Sequence, residues 1–580
     1  MQPNTKRWLS VLWNHFWLIY SARTAIAATI ALAVATAPCS IGKIFAADTY
    51  SEKVREYLER KTAAASAQRP VSLRGKILWG SSAVRLFYER RDFRPAWSTD
   101  TGPLPQADSL VQSLRQADRE GLTPGVFHLA NIESLLTEMQ QAESKKQPVD
   151  VQKAAEFDLF LSDSFFMYGS NLWVGRVNPE TIESNWFANQ KSTELAALLQ
   201  TALDSNQISQ TLQSLLPPHP QYKGLQRTLV SYRSIAEQGG WPLIPFGKTL
   251  RKGDRGERVV VLARELAVTG DLNGGKSSIT DLYDDAIEQA VRKFQGRHGL
   301  EVDGIVGPRT LAALRVPVDD RIQQIEVTME RWRWVPHDLG QRYILVNIAG
   351  FTLKVVEQDK DILSMRVVVG KPYLMTPIFS SKVTEIEFNP YWYVPTSIAV
   401  KDILRKILSE SDYLAKEHIK VFLRESEEAP EINPDSINWS QVDTENFPYR
   451  LRQEPGPMNA LGKIKFIFPN EYDVYLHDTP ARELFEKPQR DFSHGCIRIE
   501  KPVELAEYLL KNDPQWTREK ILAAISDTQT KIVRLAEPIP IHVLYLTAWV
   551  DSEGTINFRD DIYERDAVVA QALNQKPPTL

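Results

Sequence analysis

His477-Asp478-Thr479-Pro480 and Asp491-Phe492-Ser493-His494-Gly495-Cys496-Ile497-Arg498 are the stretch around which the rest of the chain is read. Cys496 is the only cysteine outside the N-terminal 47 residues, with Gly495 directly before it, His494 two residues upstream and His477 nineteen upstream. A free thiol is a poor nucleophile at neutral pH, so a neighbouring imidazole must take its proton or stabilise the thiolate. Tyr472-Asp473-Val474-Tyr475-Leu476 alternates as a strand does, which predicts Asp473, Tyr475 and His477 on one face. Gly495 permits a tight turn, so amides around Cys496 can point at a developing oxyanion.

The same stretch resembles the catalytic signature of the L,D-transpeptidases of the YkuD type. That signature is a histidine, about fifteen residues, then Ser/Thr-His-Gly-Cys, a hydrophobic residue and Arg or Asn. The resemblance implies that Cys496 is the nucleophile and His477 the general base and then acid. Ser493 is expected to orient the histidine through its backbone carbonyl, and the amides of Gly495 and Cys496 to serve the oxyanion. His494 is expected to support the site, with a second base as its alternative role. Arg498 is expected either to bind a substrate carboxylate or to form a structural ion pair. Tyr475 and Trp392 are assigned with Arg498 to substrate binding.

With 580 residues the chain has room for three or four domains. A charged content of 24%, a hydrophobic content of 43% and a formal net charge of -4 describe an ordinary folded protein. No sustained basic stripe appears, so a nucleic-acid partner is not expected. Residues 1–47 read as an export leader: Lys6 and Arg7, several aromatics, then an uncharged run from Thr24 to Gly42. Ala46-Ala47-Asp48 offers small residues for cleavage, while the uncharged run is long enough to serve instead as a membrane anchor. Cys39 lies inside this leader and reads as hydrophobic filler, since Pro38 does not suit a lipoprotein cleavage site. Removal of the leader leaves Cys496 a free thiol even in an oxidising compartment.

Residues 48–245 read as helical, with amphipathic runs over Ala107–Asp118 and Val151–Tyr168. Phe87-Tyr88, Pro95-Ala96-Trp97, Asp118-Arg119-Glu120-Gly121-Leu122 and Pro217-Pro218-His219-Pro220 resemble the scaffold region of the large YcbB-type L,D-transpeptidases. Residues 246–316 form a small helical unit. Phe294-Gln295, Asp303-Gly304 and Gly307-Pro308-Arg309-Thr310 resemble a three-helix peptidoglycan-binding domain, with Asp271–Asp281 an inserted loop. Residues 317–341 read as a linker helix stopped by Pro336.

From 342 to 580 strands predominate, as in a β-sandwich. Residues 396–452 interrupt them and match in place the capping subdomain of the YcbB-type enzymes. The expected architecture is therefore α+β and multidomain: helical scaffold, peptidoglycan-binding domain, and β-rich catalytic domain with an inserted cap.

What the resemblance implies is an exported, periplasmic enzyme that joins peptidoglycan stem peptides. A tetrapeptide stem is the donor and the diaminopimelate amine of a second stem the acceptor, giving a 3-3 crosslink. Water as acceptor would make it an L,D-carboxypeptidase, and an idle site would leave a wall-binding scaffold. No cofactor is expected, since no His-x-x-x-His or Cys-x-x-Cys pair supplies metal spacing. Carbapenem-type β-lactams are expected to acylate Cys496.

Overall fold

The computed structural model describes residues 41–182, 194–273, 279–426 and 428–575, the side chains of 41–49 excepted. Of the leader read over residues 1–47, residues 1–40, Cys39 included, lie outside the described residues. A helix, Ile41–Thr62, runs through the Ala46-Ala47-Asp48 position. Among the described residues no helix is long and apolar enough to cross a membrane.

The N-terminal helices pack around one central helix, Val151–Val174, which is buried on every side from Ala154 to Leu172. A helix buried all round must lie inside a core, and two aspartates on this one are held by hydrogen bonds. Asp158 accepts from the amides of Ala96 and Trp97 and the hydroxyls of Tyr88 and Ser98. Asp163 accepts from the Gly80 amide at 2.7 Å and meets His128 at 2.9 Å. The Pro95-Ala96-Trp97 phrase thus marks a buried polar junction, where the Ala96 and Trp97 amides find a carboxylate partner.

Three helices, Glu257–Val268, Asp285–Arg297 and Pro308–Leu314, enclose the second core. Gln295 explains the motif: its amide donates to Asp303, the Ile305 carbonyl and Thr310, and its carbonyl accepts from the Gly304 amide at 2.8 Å. One side chain therefore pins the Asp-Gly turn to the third helix. Asp271, read as the first residue of an inserted loop, is instead a buried anchor that holds Arg297 through two hydrogen bonds of 2.6 and 2.8 Å.

The strands of the large C-terminal sheet are β1 (Arg342–Asn347), β2 (Thr352–Glu357), β3 (Lys360–Gly370), β4 (Phe379–Phe388), β5 (Ile464–Ile467), β6 (Leu476–His477), β7 (Asp491–Ser493), β8 (Ile497–Ile499) and β9 (Lys531–Leu544). Their order is β7-β3-β8-β6-β5-β4-β9-β1-β2, and β2 also pairs with β3. The sheet thus closes on itself, where the strand pattern alone suggested a sandwich. Alternation reports which face is buried, and both architectures bury one face. The closure comes from β3, whose 11 residues are long enough to pair with β2, β8 and β7 in turn.

Helix Val318–Trp334, expected to be a linker, is a core element, buried almost continuously from Val327 to Trp334. Together with helix Pro220–Glu237, read as part of the N-terminal helical region, it packs in the same apolar core as the closed sheet. Its buried charged residues near the C-terminal end are held by hydrogen bonds and ion pairs. Glu330 binds Arg333 at 2.7 Å, the Val177 amide at 2.8 Å and the Trp334 indole at 3.2 Å. Arg333 reaches the Glu120 carbonyl and the Tyr222 hydroxyl. These bonds join the N-terminal helices to the catalytic core.

The insertion after β4 has a small core of its own and a four-stranded sheet built from Trp392–Tyr393, Tyr449–Gln453, Ile419–Leu423 and Glu431–Ile432. Its helical segments and strands roof one end of the closed sheet.

Candidate active site

Cys496 closes a tight turn between β7 and β8. Gly495 has φ +117, a region that disfavours any residue with a Cβ. Ser493 braces the turn from inside: its hydroxyl donates to the Cys496 carbonyl at 2.6 Å and accepts from the Gly495 amide at 3.1 Å. Thr376, from the segment between β3 and β4, donates to the Gly495 carbonyl at 2.8 Å and accepts from the Gly370 amide at 2.9 Å. The Tyr563 hydroxyl in turn accepts from the Thr376 amide and donates to the Gly370 carbonyl.

These bonds revise two expectations. The Ser493 carbonyl accepts from the Lys371 amide at 3.0 Å, and the group that orients His477 is the carbonyl of Asp478, 2.6 Å from Nδ1. The Gly495 amide is already committed to Ser493, so it is not available to an oxyanion. A serine hydroxyl two residues from a glycine amide closes a local turn, and local bonding prevails over a more distant role.

β6 places His477 beside β8, pairing in register with Arg498, and beside Lys465 of β5. The predicted strand over Tyr472–Leu476 shrinks to Leu476–His477. Asn470 explains this, because its side chain bonds the amides of Tyr472 and Val474 and the carbonyls of Phe468 and Val474, replacing a ladder. Asp473 takes φ +53 in that loop, and its carbonyl lies 3.8 Å from the Cys496 sulfur. Tyr475 nevertheless shares a face with His477, their rings 5.7 Å apart, and lies beside the thiol.

A carbonyl can only accept, so the Asp478 contact places the proton of His477 on Nδ1. Burial, with Arg498 and Lys465 nearby, lowers the His477 pKa to about 3. Burial also raises the Cys496 thiol, against opposing contributions from Tyr475, Lys465 and Arg498. Both side chains are therefore neutral at pH 7. Alkylation of Cys496 by iodoacetamide is expected to rise about tenfold per pH unit from pH 6 towards 9. A rate independent of pH below 6 would instead reveal a preformed ion pair.

The cleft above Cys496 encloses roughly 950 Å³ and is lined from below by Tyr475, His477, Cys496 and Arg498 and from the cap by Trp392, Asp402, Lys406 and Tyr413. Trp392 thus belongs to the cap side of the cleft. Arg498 is partly buried, and among the described residues no carboxylate lies within ion-pair distance of it. His494 points elsewhere: its Nε2 is 2.7 Å from Asp402 of the cap. Thr376 and Asp402 carry no sequence signal for these contacts, since they stand 119 and 92 residues from their partners.

Residues 341–519 match the family model described as the L,D-transpeptidase catalytic domain, YkuD. The chain carries an L,D-transpeptidase catalytic domain. Residues 255–314 match a predicted peptidoglycan binding domain and residues 82–229 a scaffold domain. A predicted L,D-transpeptidase of Haemophilus influenzae is 32% identical over 244 residues, 42% of this chain and 48% of that one. The chain thus spans about half the length of this relative. An N-acetylmuramoyl-L-alanine amidase of Mycobacterium tuberculosis is 41% identical over 76 residues, 12% of this chain and 19% of that one. Among solved structures, an L,D-transpeptidase in complex with imipenem has 15% identity and a TM-score of 0.18 over 35% of this chain and 59% of that one. An L,D-transpeptidase of Stackebrandtia nassauensis has 16% identity and a TM-score of 0.21 over 51% and 94%.

Within the transpeptidase domain, Gly495→Ala is expected to destabilise the turn by about 1–3 kcal/mol and to slow acylation of Cys496. An added Cβ would meet nothing nearer than 3.7 Å, so the loss is conformational and not a clash. Thermal melting with a timed carbapenem mass adduct would check it, and a variant acylated at the wild-type rate would contradict it.

Proposed function

We propose that the protein is a periplasmic peptidoglycan L,D-transpeptidase that makes 3-3 crosslinks. The observation that carries this reading is the convergence of Cys496, tautomer-fixed His477 and Arg498, which has no ion pair among the described residues, on the floor of one roofed cleft.

The thiol of Cys496 adds to the carbonyl of residue three of a tetrapeptide stem while His477 Nε2 takes its proton. The Cys496 amide, which donates to no described acceptor, receives the oxyanion. The carbon–nitrogen bond to the terminal D-alanine breaks, and His477 returns the proton to the leaving amine. The thioester is then attacked by the diaminopimelate side-chain amine of a second stem; the carbon–sulfur bond breaks and the thiol regains its proton. Arg498 is placed to hold a stem-peptide carboxylate, and the cap to keep water from the thioester. Carbapenem-type β-lactams would acylate the same sulfur by ring opening.

Mass spectrometry of the products from a purified tetrapeptide muropeptide tests this, with Cys496→Ala alongside. Dimers that have lost D-alanine, absent from the variant, are expected. Tripeptide monomer alone would make water the acceptor, and no turnover of any kind would overturn the enzymatic reading.

A further inference from the structure

Asp402 sits in a π-helical turn, Ala399–Ile403, set between the short helical segments Thr396–Ile398 and Leu404–Ser409 of the cap. A π turn is looser than an α turn and persists mostly where it re-aims a side chain at a functional site. Here it carries the carboxylate to His494 Nε2, 2.7 Å away. His494 belongs to the Ser493–Cys496 turn, which is held from inside by the Ser493 hydroxyl and from behind by Thr376.

Among the described residues this is the only side-chain hydrogen bond between the cap and the nucleophile turn. Asp402 makes no other ion pair among them, and the nearest cap cation that lines the cleft, Lys406, is turned to Tyr413 at 3.3 Å. Both partners are partly exposed, with side-chain exposures of 30% and 42%, so the bond adds little to the stability of either core. Its position at the junction of two separately cored units is what gives it an effect.

We propose that Asp402 is a positioning residue that, through His494, latches the cap onto the nucleophile turn and seats it over the bound donor stem. The latch itself follows from the geometry; its effect on turnover rests on the transpeptidase reading above. His494 on this account acts in cap docking and is not a second base.

Hydrogen exchange of the full chain, compared for wild type, Asp402→Ala, Asp402→Asn and His494→Gln, tests the latch without any substrate. Asp402→Ala is expected to speed exchange of amides over residues 399–409 about tenfold while leaving Ile344–Val346 of β1 unchanged. In turnover of the tetrapeptide the same variant should raise KM and lower kcat/KM about tenfold. Asp402→Asn, which keeps an acceptor, should recover part of the loss. The double variant with His494→Gln should be no worse than Asp402→Ala alone within about twofold, because both remove one contact. Unchanged exchange in the cap, equal acceleration in β1, or single effects that multiply would each overturn the proposal. A wild-type protein inert towards tetrapeptide, yet with a cap that responds in exchange, would leave the latch standing and remove the transpeptidase reading.

Discussion

His477→Gln is expected to slow acylation of Cys496 by about 10³- to 10⁴-fold at pH 7, with the deficit shrinking as pH rises. The reason lies in the two protonation states. Burial raises the thiol pKa, so little thiolate exists at pH 7 without a base to draw the proton off. In the proposed mechanism His477 does this, with its Nδ1 proton tied to the Asp478 carbonyl. Its own pKa, lowered to about 3, means that the imidazole remains an available acceptor throughout the range from pH 5 upward. Glutamine retains an amide that can reach the Asp478 carbonyl but supplies no base. As pH climbs through the thiol pKa, solvent takes over deprotonation and the variant should approach wild type. Intact-mass timing of a carbapenem adduct at pH 7 and 9.5 measures both limbs. Equal rates at pH 7 would show that another group is the base.

The largest stability effect is expected at Glu330. Glu330→Ala removes the ion-pair partner at 2.7 Å from the fully buried Arg333 guanidinium and one acceptor of the Val177 amide and of the Trp334 indole. Breaking one side of a buried pair leaves an uncompensated charge and costs about 3–5 kcal/mol. Because Arg333 and Val177 belong to different parts of the chain, the loss should appear as separation of the N-terminal helices from the catalytic core. Calorimetry should show one transition moving down and parting from the others, since a chain of this size need not unfold in one step. Glu330→Gln keeps two acceptor–donor contacts and should lose less. A Glu330→Ala melt that overlays the wild type would show that the junction is held by apolar packing alone.

Much of this was legible in the sequence for a physical reason. A nucleophile loop needs a particular glycine, a particular thiol and a histidine at a strand spacing, and these requirements are local enough to leave a pattern. The Gln295 knot is similar: it spans fifteen residues and a turn, so its parts sit close together in the chain. Strand and helix periodicity reported buried faces, and helix Pro105–Arg115 stands where the run Ala107–Asp118 placed it.

Other features depend on which segments meet. Helix Val318–Trp334 reads as a linker because its arginines and glutamate look solvated, yet folding pairs those charges and puts them at the centre. Closed sheet and sandwich produce the same alternation, and only the pairing of β2 with β3 separates them.

Residue types and local spacing by themselves determined a thiol, an imidazole and a turn able to hold them, because each is a requirement of a few consecutive residues. Only the tertiary structure decided that Asp478 orients the imidazole, that Ser493 consumes the Gly495 amide, and that Asp402 reaches His494 across the cleft. Those choices depend on which carbonyls, hydroxyls and carboxylates are brought within about 3 Å, and proximity across tens of residues is a property of the packed chain.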